Sequence, residues 1–184
     1  MEGSVFTSLY VALGVIVGLV IAVVIIKICN TNGKFKTDYD ERQKIMIGKS
    51  YKCAMITTWV LMGIYIIIDL GGFTLPMENS LTIFSILFVS LIVHMSYSVW
   101  TDAYFGKNNN NGKYLVFFVV ITLINIAVTV GYIVKGVLVV DGILTYRAIN
   151  LECALAFMIM GIEALIKIII DKKNSTEEDD DEES

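Results

Sequence analysis

Proline and charged residues are scarce in this chain. Its 184 residues include one proline, and 17% of them are charged, whereas soluble domains carry about 25% charged residues. Apolar residues make up 56% of the chain, and the mean hydropathy is +0.72. This composition excludes a soluble enzyme, a disordered chain and a disulfide-stabilised secreted scaffold.

The side chains that build catalytic and metal sites are also rare. The sequence has a single histidine, and its three cysteines, Cys29, Cys53 and Cys153, show no C-x-x-C or metal-type spacing. It contains none of the motifs G-x-x-x-x-G-K-[ST], G-x-G-x-x-G, H-E-x-x-H and G-x-S-x-G, which bind nucleotides, hold zinc or position a serine nucleophile. We therefore expect a protein that is not an enzyme and has no cofactor, no metal and no nucleic-acid partner.

Long apolar runs dominate the rest of the sequence. A transmembrane helix needs about 20 mostly apolar residues to cross about 30 Å of hydrocarbon. Five stretches meet this requirement, at about residues 5–28, 53–75, 81–100, 114–134 and 149–170. The alternating segments of about ten residues that form a membrane β-barrel are missing. The sequence predicts an all-α, helical integral membrane protein with five transmembrane helices in one membrane domain, residues 1–171, and with the lipid bilayer as its surroundings.

The basic residues indicate how these spans are oriented, because Lys and Arg concentrate in the cytoplasmic segments of membrane proteins. With the N-terminus outside and the C-terminus inside, 12 of the 14 basic residues are cytoplasmic, and only Lys135 and Arg147 are external. The first stretch has no basic residue before it, unlike a cleaved signal peptide, and it is therefore interpreted as an anchor. We expect an N-out, C-in protein.

Two segments outside the spans have their own character. Residues 172–184 contain the acidic run 177–183 and are predicted to form a disordered cytoplasmic tail. Residues 136–144 are apolar although they connect spans four and five, so they either extend span four or lie in the outer interface. Asp141 and Gly142 interrupt this segment and predict a turn.

Two motifs lie on the predicted cytoplasmic side. The first motif, residues 39–43, reads Y-D-E-R-Q and is followed by G-K-S-Y-K at residues 48–52. The second motif, residues 100–108, reads W-T-D-A-Y-F-G-K-N. Together they resemble a family of uncharacterised small multi-pass membrane proteins from low-GC Gram-positive bacteria, which carry D-E-R-Q, G-K-x-(Y/F)-K and A-Y-F-G-x-N stretches. The resemblance implies a location in the bacterial cell membrane, and it supplies no activity.

The first motif favours the start of a helix. Asp38 can cap a helix, with Glu41 three residues later as in a capping box, so we expect a short cytoplasmic helix that continues into span two. A second interpretation is a docking surface, either for another protein or for the second motif. The candidate interaction residues are Asp40, Glu41, Arg42, Gln43, Tyr104, Phe105 and Gly106.

Polar side chains inside the predicted spans need partners, since a carboxylate at the centre of a membrane helix costs about 2.5–3.5 kcal/mol on insertion scales. Asp69 and Glu152 lie near outer span ends and are interpreted as anchors. His94 and Glu163 lie at matching depths in spans that run in the same direction, so they could pair, and Asn125 is a further candidate. Such a pair would serve as a helix–helix contact worth about 0.6 kcal/mol, or as a group that titrates.

Small residues line one face of span one. Gly14, Gly18 and Ala22 are spaced four apart, which permits close approach of another helix. The stripe predicts helix packing, for which a homodimer and packing within one monomer are equal alternatives.

These features support two functions. The first is an accessory or regulatory role in which the cytoplasmic face binds a cytoplasmic or membrane protein, because the motifs and most of the charge lie on that face. The alternative is a small transporter or export-related protein with a polar path near His94 and Glu163. Inverted repeats and broken helices, which are typical of transporters, are missing from the sequence.

Overall fold

Four long helices make up most of the described structure. The computed structural model describes residues 20, 23–25, 27–32, 34 and 36–182. The long helices are α1 (Glu41–Leu70), α2 (Asn79–Trp100), α3 (Asn111–Val134) and α4 (Ile149–Glu182). Each of them contains a segment that is long and apolar enough to cross a membrane.

The first predicted span lies largely outside the described residues. Of its residues, 20, 23–25, 27 and 28 are described, and they are helical. The small-residue stripe of Gly14, Gly18 and Ala22 lies outside the described residues.

The start of α1 differs from the sequence prediction. The helix begins at Glu41 and ends at Leu70, whereas the predicted span ran from residue 53 to residue 75. Its 30 residues extend over about 45 Å at about 1.5 Å per residue, which is longer than the hydrocarbon thickness of about 30 Å. The expected helix that continues into span two is therefore confirmed. The predicted end was too late because Gly72, with a φ of 73°, follows the end of the helix and turns the chain.

The end of α4 also differs. The helix continues to Glu182 and so includes residues 172–182, for which the sequence predicted a disordered tail. Extending an existing helix requires no new nucleus. Residues 183 and 184 lie outside the described part.

The helices pack in the order α1, α2, α4, α3. α2 lies between α1 and α4, and α3 packs against the other side of α4. The buried centre of the α3–α4 contact consists of Phe118, Met160 and Ala164. Gly161 lies at this contact, and a Cβ there would be in ordinary van der Waals contact with the Cβ of Phe118, at 3.4 Å.

The connection between α3 and α4 is a short hairpin. Strand β1 (Val139–Val140) pairs with strand β2 (Ile143–Leu144), and Asp141 and Gly142 form the turn with φ values of 51° and 78°. Two successive positive φ values are typical of a type I′ hairpin turn, so the predicted turn is confirmed. Residues 136–144 do not extend α3, because that helix ends at Val134.

The same hairpin binds the connection between α1 and α2. The Leu144 N–H donates to the carbonyl oxygen of Pro76, and the Glu78 N–H donates to the carbonyl oxygen of Leu144, both at 2.9 Å. The two connections at this end of the helices are therefore joined. The opposite end carries both sequence motifs.

Candidate functional site

Two segments that are distant in the sequence meet at the second end of the helices. One comprises residues 36–43, which lead into α1, and the other comprises residues 101–110, which connect α2 to α3. These two segments are named the cap. Because each contains one of the motifs, the structure brings together the residues that the sequence analysis singled out.

Gln43 is the central link of the cap. Its backbone N–H donates to Asp40 Oδ1 at 2.7 Å, and its Oε1 accepts from the Asp40 N–H at 3.1 Å, which completes a capping box. Its Nε2 donates to the carbonyl oxygens of Asp102 and Phe105, each at 2.8 Å. The Gln43 side chain thus completes the N-terminal cap of α1 and binds the second loop by hydrogen bonds.

Asp38, the capping residue predicted from the sequence, has another role. Its N–H donates to Asn108 Oδ1 at 2.7 Å, and its carbonyl oxygen accepts from the Lys107 N–H at 2.8 Å. The helix is capped by Asp40 instead. Asp38 therefore joins the two loops through its backbone.

Asn108 binds both the first segment of the cap and the residues before it. It is buried, and its Nδ2 donates to the carbonyl oxygen of Lys36 at 3.0 Å, while its own carbonyl oxygen accepts from the Thr31 N–H at 2.7 Å. An asparagine side chain supplies both a donor and an acceptor, as this position requires. Asn108 was missing from the candidate residues although it ends the second motif, and that position was the available signal.

Gly106 lies where the two segments of the cap approach most closely. A Cβ at this position would overlap Thr37 Cγ2 and would lie 2.7 Å from the carbonyl oxygen of Asp38. Glycine is used where backbones approach too closely for a side chain. The glycine of the second motif is therefore required by packing.

Charged side chains connect the cap to α4. Lys167 Nζ lies 2.7 Å from Asp102 Oδ1 and 2.7 Å from Asp171 Oδ1, and Arg42 Nη2 lies 3.5 Å from Asp102 Oδ2. The Lys167 side chain is mostly buried, whereas that of Arg42 is 64% exposed. Glu41 is exposed in the first turn of α1. No sequence signal connected Lys167 with Asp102, because they are far apart in the chain.

Aromatic side chains of the cap pack on one another and on Tyr114 of α3. The Tyr39 hydroxyl donates to the carbonyl oxygen of Tyr104 at 3.4 Å. The Tyr104 ring meets the rings of Phe105 and Tyr114 edge to face, with centroids 4.9 and 6.3 Å away. Burial raises the pKa of Tyr39 and of Tyr104, so both hydroxyls stay protonated well above neutral pH.

His94 and Glu163 do not pair. The imidazole Nδ1 of His94 lies 2.8 Å from Ser50 Oγ on α1, whereas Glu163 Oε1 accepts from Ser96 Oγ at 3.0 Å. The two residues contact different faces of the helix pair: His94 of α2 contacts Ser50 of α1, whereas Glu163 of α4 contacts Ser96 of α2. The polar path predicted from both residues is therefore two separate contacts.

Glu152, the other carboxyl group within the apolar part of α4, has a similar partner. Glu152 Oε1 accepts from Ser85 Oγ of α2. The other carboxyl oxygens, Glu152 Oε2 and Glu163 Oε2, are buried and have no hydrogen-bond partner among the described residues. Asn125 takes no part, because its Nδ2 donates to the carbonyl oxygen of Ile121 in its own helix.

No metal site or relative identifies the protein. The described residues include no group of three or more His, Cys, Asp or Glu side chains that could hold a metal ion. No family model matches the chain, and the comparisons with curated proteins and with solved structures give no match either. The resemblance stated from the two motifs stays a prediction.

Proposed function

We propose that this protein is a non-enzymatic integral membrane protein of the bacterial cell membrane, and that its cap binds a cytoplasmic or membrane protein in an accessory or regulatory role. The observation that carries this proposal is the fixed geometry of the cap. Gln43 and Asn108 hold the two loops by hydrogen bonds, and Gly106 permits their close contact. A surface that is already ordered loses little conformational entropy on binding.

The orientation proposed for the chain is five spans with the N-terminus outside and the C-terminus inside. It places the cap in the cytoplasm. The basic residues support it, because those near the cap far outnumber Lys135 and Arg147 at the other end.

The exposed surface of the cap indicates the chemistry of the partner. Lys34, Lys36, Lys44 and Lys107 are exposed around it, and Arg42 is mostly exposed. A partner with acidic groups opposite these five basic side chains complements them and would be attracted at low salt, provided that its acidic groups avoid Glu41 and Asp102, which are exposed on the same surface.

Site-specific photo-crosslinking in living cells tests the proposal. A photoreactive residue at Lys44, exposed beside the cap, should yield a protein adduct of one discrete mass, whereas one at Phe73, exposed at the other end, should not. Gly106→Val should abolish the adduct because it separates the loops. Gly48→Ala should retain it, since nothing lies within 4 Å of a Cβ there. Absence of an adduct from Lys36, Lys44 and Lys107 alike would contradict the proposal.

A second proposed function is proton-linked transport, and it rests on the carboxyl groups of Glu152 and Glu163. Each has one buried oxygen without a hydrogen-bond partner in the described structure. Intramembrane carboxyl groups are costly and often lie on proton or ion pathways.

Proton flux into liposomes that contain the purified protein tests this second function. Glu152→Gln and Glu163→Gln should each reduce the flux, while Glu78→Gln, in the connection before α2, should leave it unchanged. Equal flux from all variants and from protein-free liposomes would exclude it.

A further inference from the structure

A cavity of about 420 Å³ lies beneath the cap. Four tyrosines from four parts of the chain line it: Tyr39 before α1, Tyr51 on α1, Tyr104 in the second loop and Tyr114 on α3. His94 of α2 lies in the same wall. α1 packs mainly on α2, and α3 packs mainly on α4. A space is therefore left between α1 and α3, and the cavity occupies it.

The lining excludes several classes of ligand. No Asp, Glu, Lys or Arg of the described chain lines the cavity. A phosphate or a carboxylate would find no cation there. An organic cation would find tyrosine faces, but no carboxylate lines the cavity, and Lys36, Lys44 and Lys107 are exposed around the cap and would repel it. The lining instead offers aromatic rings and phenolic hydroxyl groups, which suit a neutral ring.

His94 provides a second type of polar contact. Its Nδ1 is held by Ser50 Oγ at 2.8 Å, and its ring stacks on Tyr51 with centroids 4.3 Å apart and an interplanar angle of 17°. The other ring nitrogen, Nε2, makes no hydrogen bond within the described residues, and it is not among their buried polar atoms. It is therefore accessible to a ligand.

We propose that this cavity binds the headgroup of a membrane-soluble quinone, which is a neutral planar ring with two carbonyl acceptors. The hydroxyl groups of Tyr51 and Tyr104 are the donors for those carbonyl oxygens, and the tyrosine rings contact the ring of the headgroup. His94 Nε2 is a third donor in the tautomer in which Ser50 Oγ donates its hydrogen to Nδ1. Tyr51 is 61% exposed, and it lies just before the predicted start of span two, so we place the apolar tail of the quinone beside α1. The cavity shares Tyr39 and Tyr104 with the cap, but none of the exposed lysines proposed to meet a protein partner lines it.

Binding of menadione to the full chain in quinone-free lipid nanodiscs tests the proposal. Saturable binding above that of empty nanodiscs is expected. Tyr51→Phe keeps the ring and removes only the hydroxyl, so it should weaken binding about three- to tenfold, the effect of one lost hydrogen bond. His94→Ala should weaken it at least as much. Tyr65→Phe, on the same helix but away from the cavity lining, should bind like the unchanged protein.

Three results would overturn the proposal. They are binding that does not saturate, equal affinity of the unchanged protein and both cavity variants, and displacement of menadione by tetraethylammonium at a similar concentration. Since the crosslink from Lys44 does not depend on the cavity, loss of menadione binding with an unchanged crosslink would refute the quinone site alone.

Discussion

Single residues of the cap explain why the two motifs contain their particular amino acids. Gln43 is needed because one amide group completes the capping box and also binds two carbonyl oxygens of the second loop. Gly106 is needed because any side chain would overlap the first loop. Of the D-E-R-Q residues, Asp40 and Gln43 serve the interior of the cap, whereas Glu41 and Arg42 remain largely exposed.

Gly106→Ala should destabilise the protein by about 1–3 kcal/mol, the usual cost of overpacking. The added methyl group must displace Thr37 or the backbone of Asp38. Thermal unfolding in detergent measures the effect. The control, Gly48→Ala within α1, has free space around its Cβ and should be neutral or stabilising, because glycine disfavours a helix by about 0.5–1 kcal/mol. Equal effects of the two substitutions would contradict the packing assigned to Gly106.

Alkaline pH should weaken the cap. Burial raises the pKa of Tyr39 and of Tyr104, so above the usual tyrosine range the folded state retains protons that the unfolded state has released. Stability is therefore fully present below that range and falls as the pH rises through it. Unfolding followed against pH, together with tyrosinate absorbance, measures this loss. Tyr104→Phe should reduce the pH dependence, and parallel curves for both proteins would contradict the assignment.

At the scale of helices, α2 is the element that joins α1 and α4 through hydroxyl groups. Thr58 Oγ1 of α1 donates to Ser90 Oγ at 2.7 Å, and Ser98 Oγ of α2 donates to Ser50 Oγ at 3.1 Å. Such contacts matter in a bilayer because the lipid tails are as apolar as the helix surfaces. α1 depends on them most, since it packs mainly on α2.

A double-mutant cycle of Thr58→Val and Ser90→Ala should show a coupling free energy of about 0.6 kcal/mol, the average for hydrogen bonds between membrane helices. The two hydroxyl groups are in direct contact, so each substitution should cost less when the other is present. Reversible unfolding in mixed micelles measures the cycle. Additive effects would show that the contact does not stabilise the α1–α2 interface.

Hydropathy predicted the helices better than it predicted their ends. The predicted spans 81–100 and 114–134 nearly coincide with Asn79–Trp100 and Asn111–Val134, because a long apolar run must cover the hydrocarbon. The start of α1 was missed because two overlapping patterns, Asp38 with Glu41 and Asp40 with Gln43, both fit a capping box. Contacts of Asp38 with the second loop decide between them, and these depend on the tertiary structure.

The candidate site was predictable only in part. Residue spacing gives the depth of His94 and Glu163 in the membrane, but it does not give their direction around helices whose packing is unknown. The meeting of the two motif loops was open to prediction because both lie on one side of the predicted topology. The roles of Asn108 and Lys167 were not, because each depends on a contact with a distant part of the chain.

At the scale of the whole molecule, the two ends of the helices differ in chemistry. The hairpin end contains the apolar strands β1 and β2 and few charges. The cap end joins both motifs and most of the basic residues. We expect this asymmetry to fix the orientation of the chain in the membrane, because basic residues are retained in the cytoplasm.

The most direct test of a cytoplasmic cap is thiol labelling in sealed cells, with the three native cysteines replaced by alanine. Lys107 is exposed in the cap, and Asn79 is exposed at the opposite end. With an impermeant maleimide, Asn79→Cys should react at once, whereas Lys107→Cys should react only after the membrane is opened. Labelling of Lys107→Cys in sealed cells, with Asn79→Cys protected or equally reactive, would contradict the proposed orientation and the function built on it.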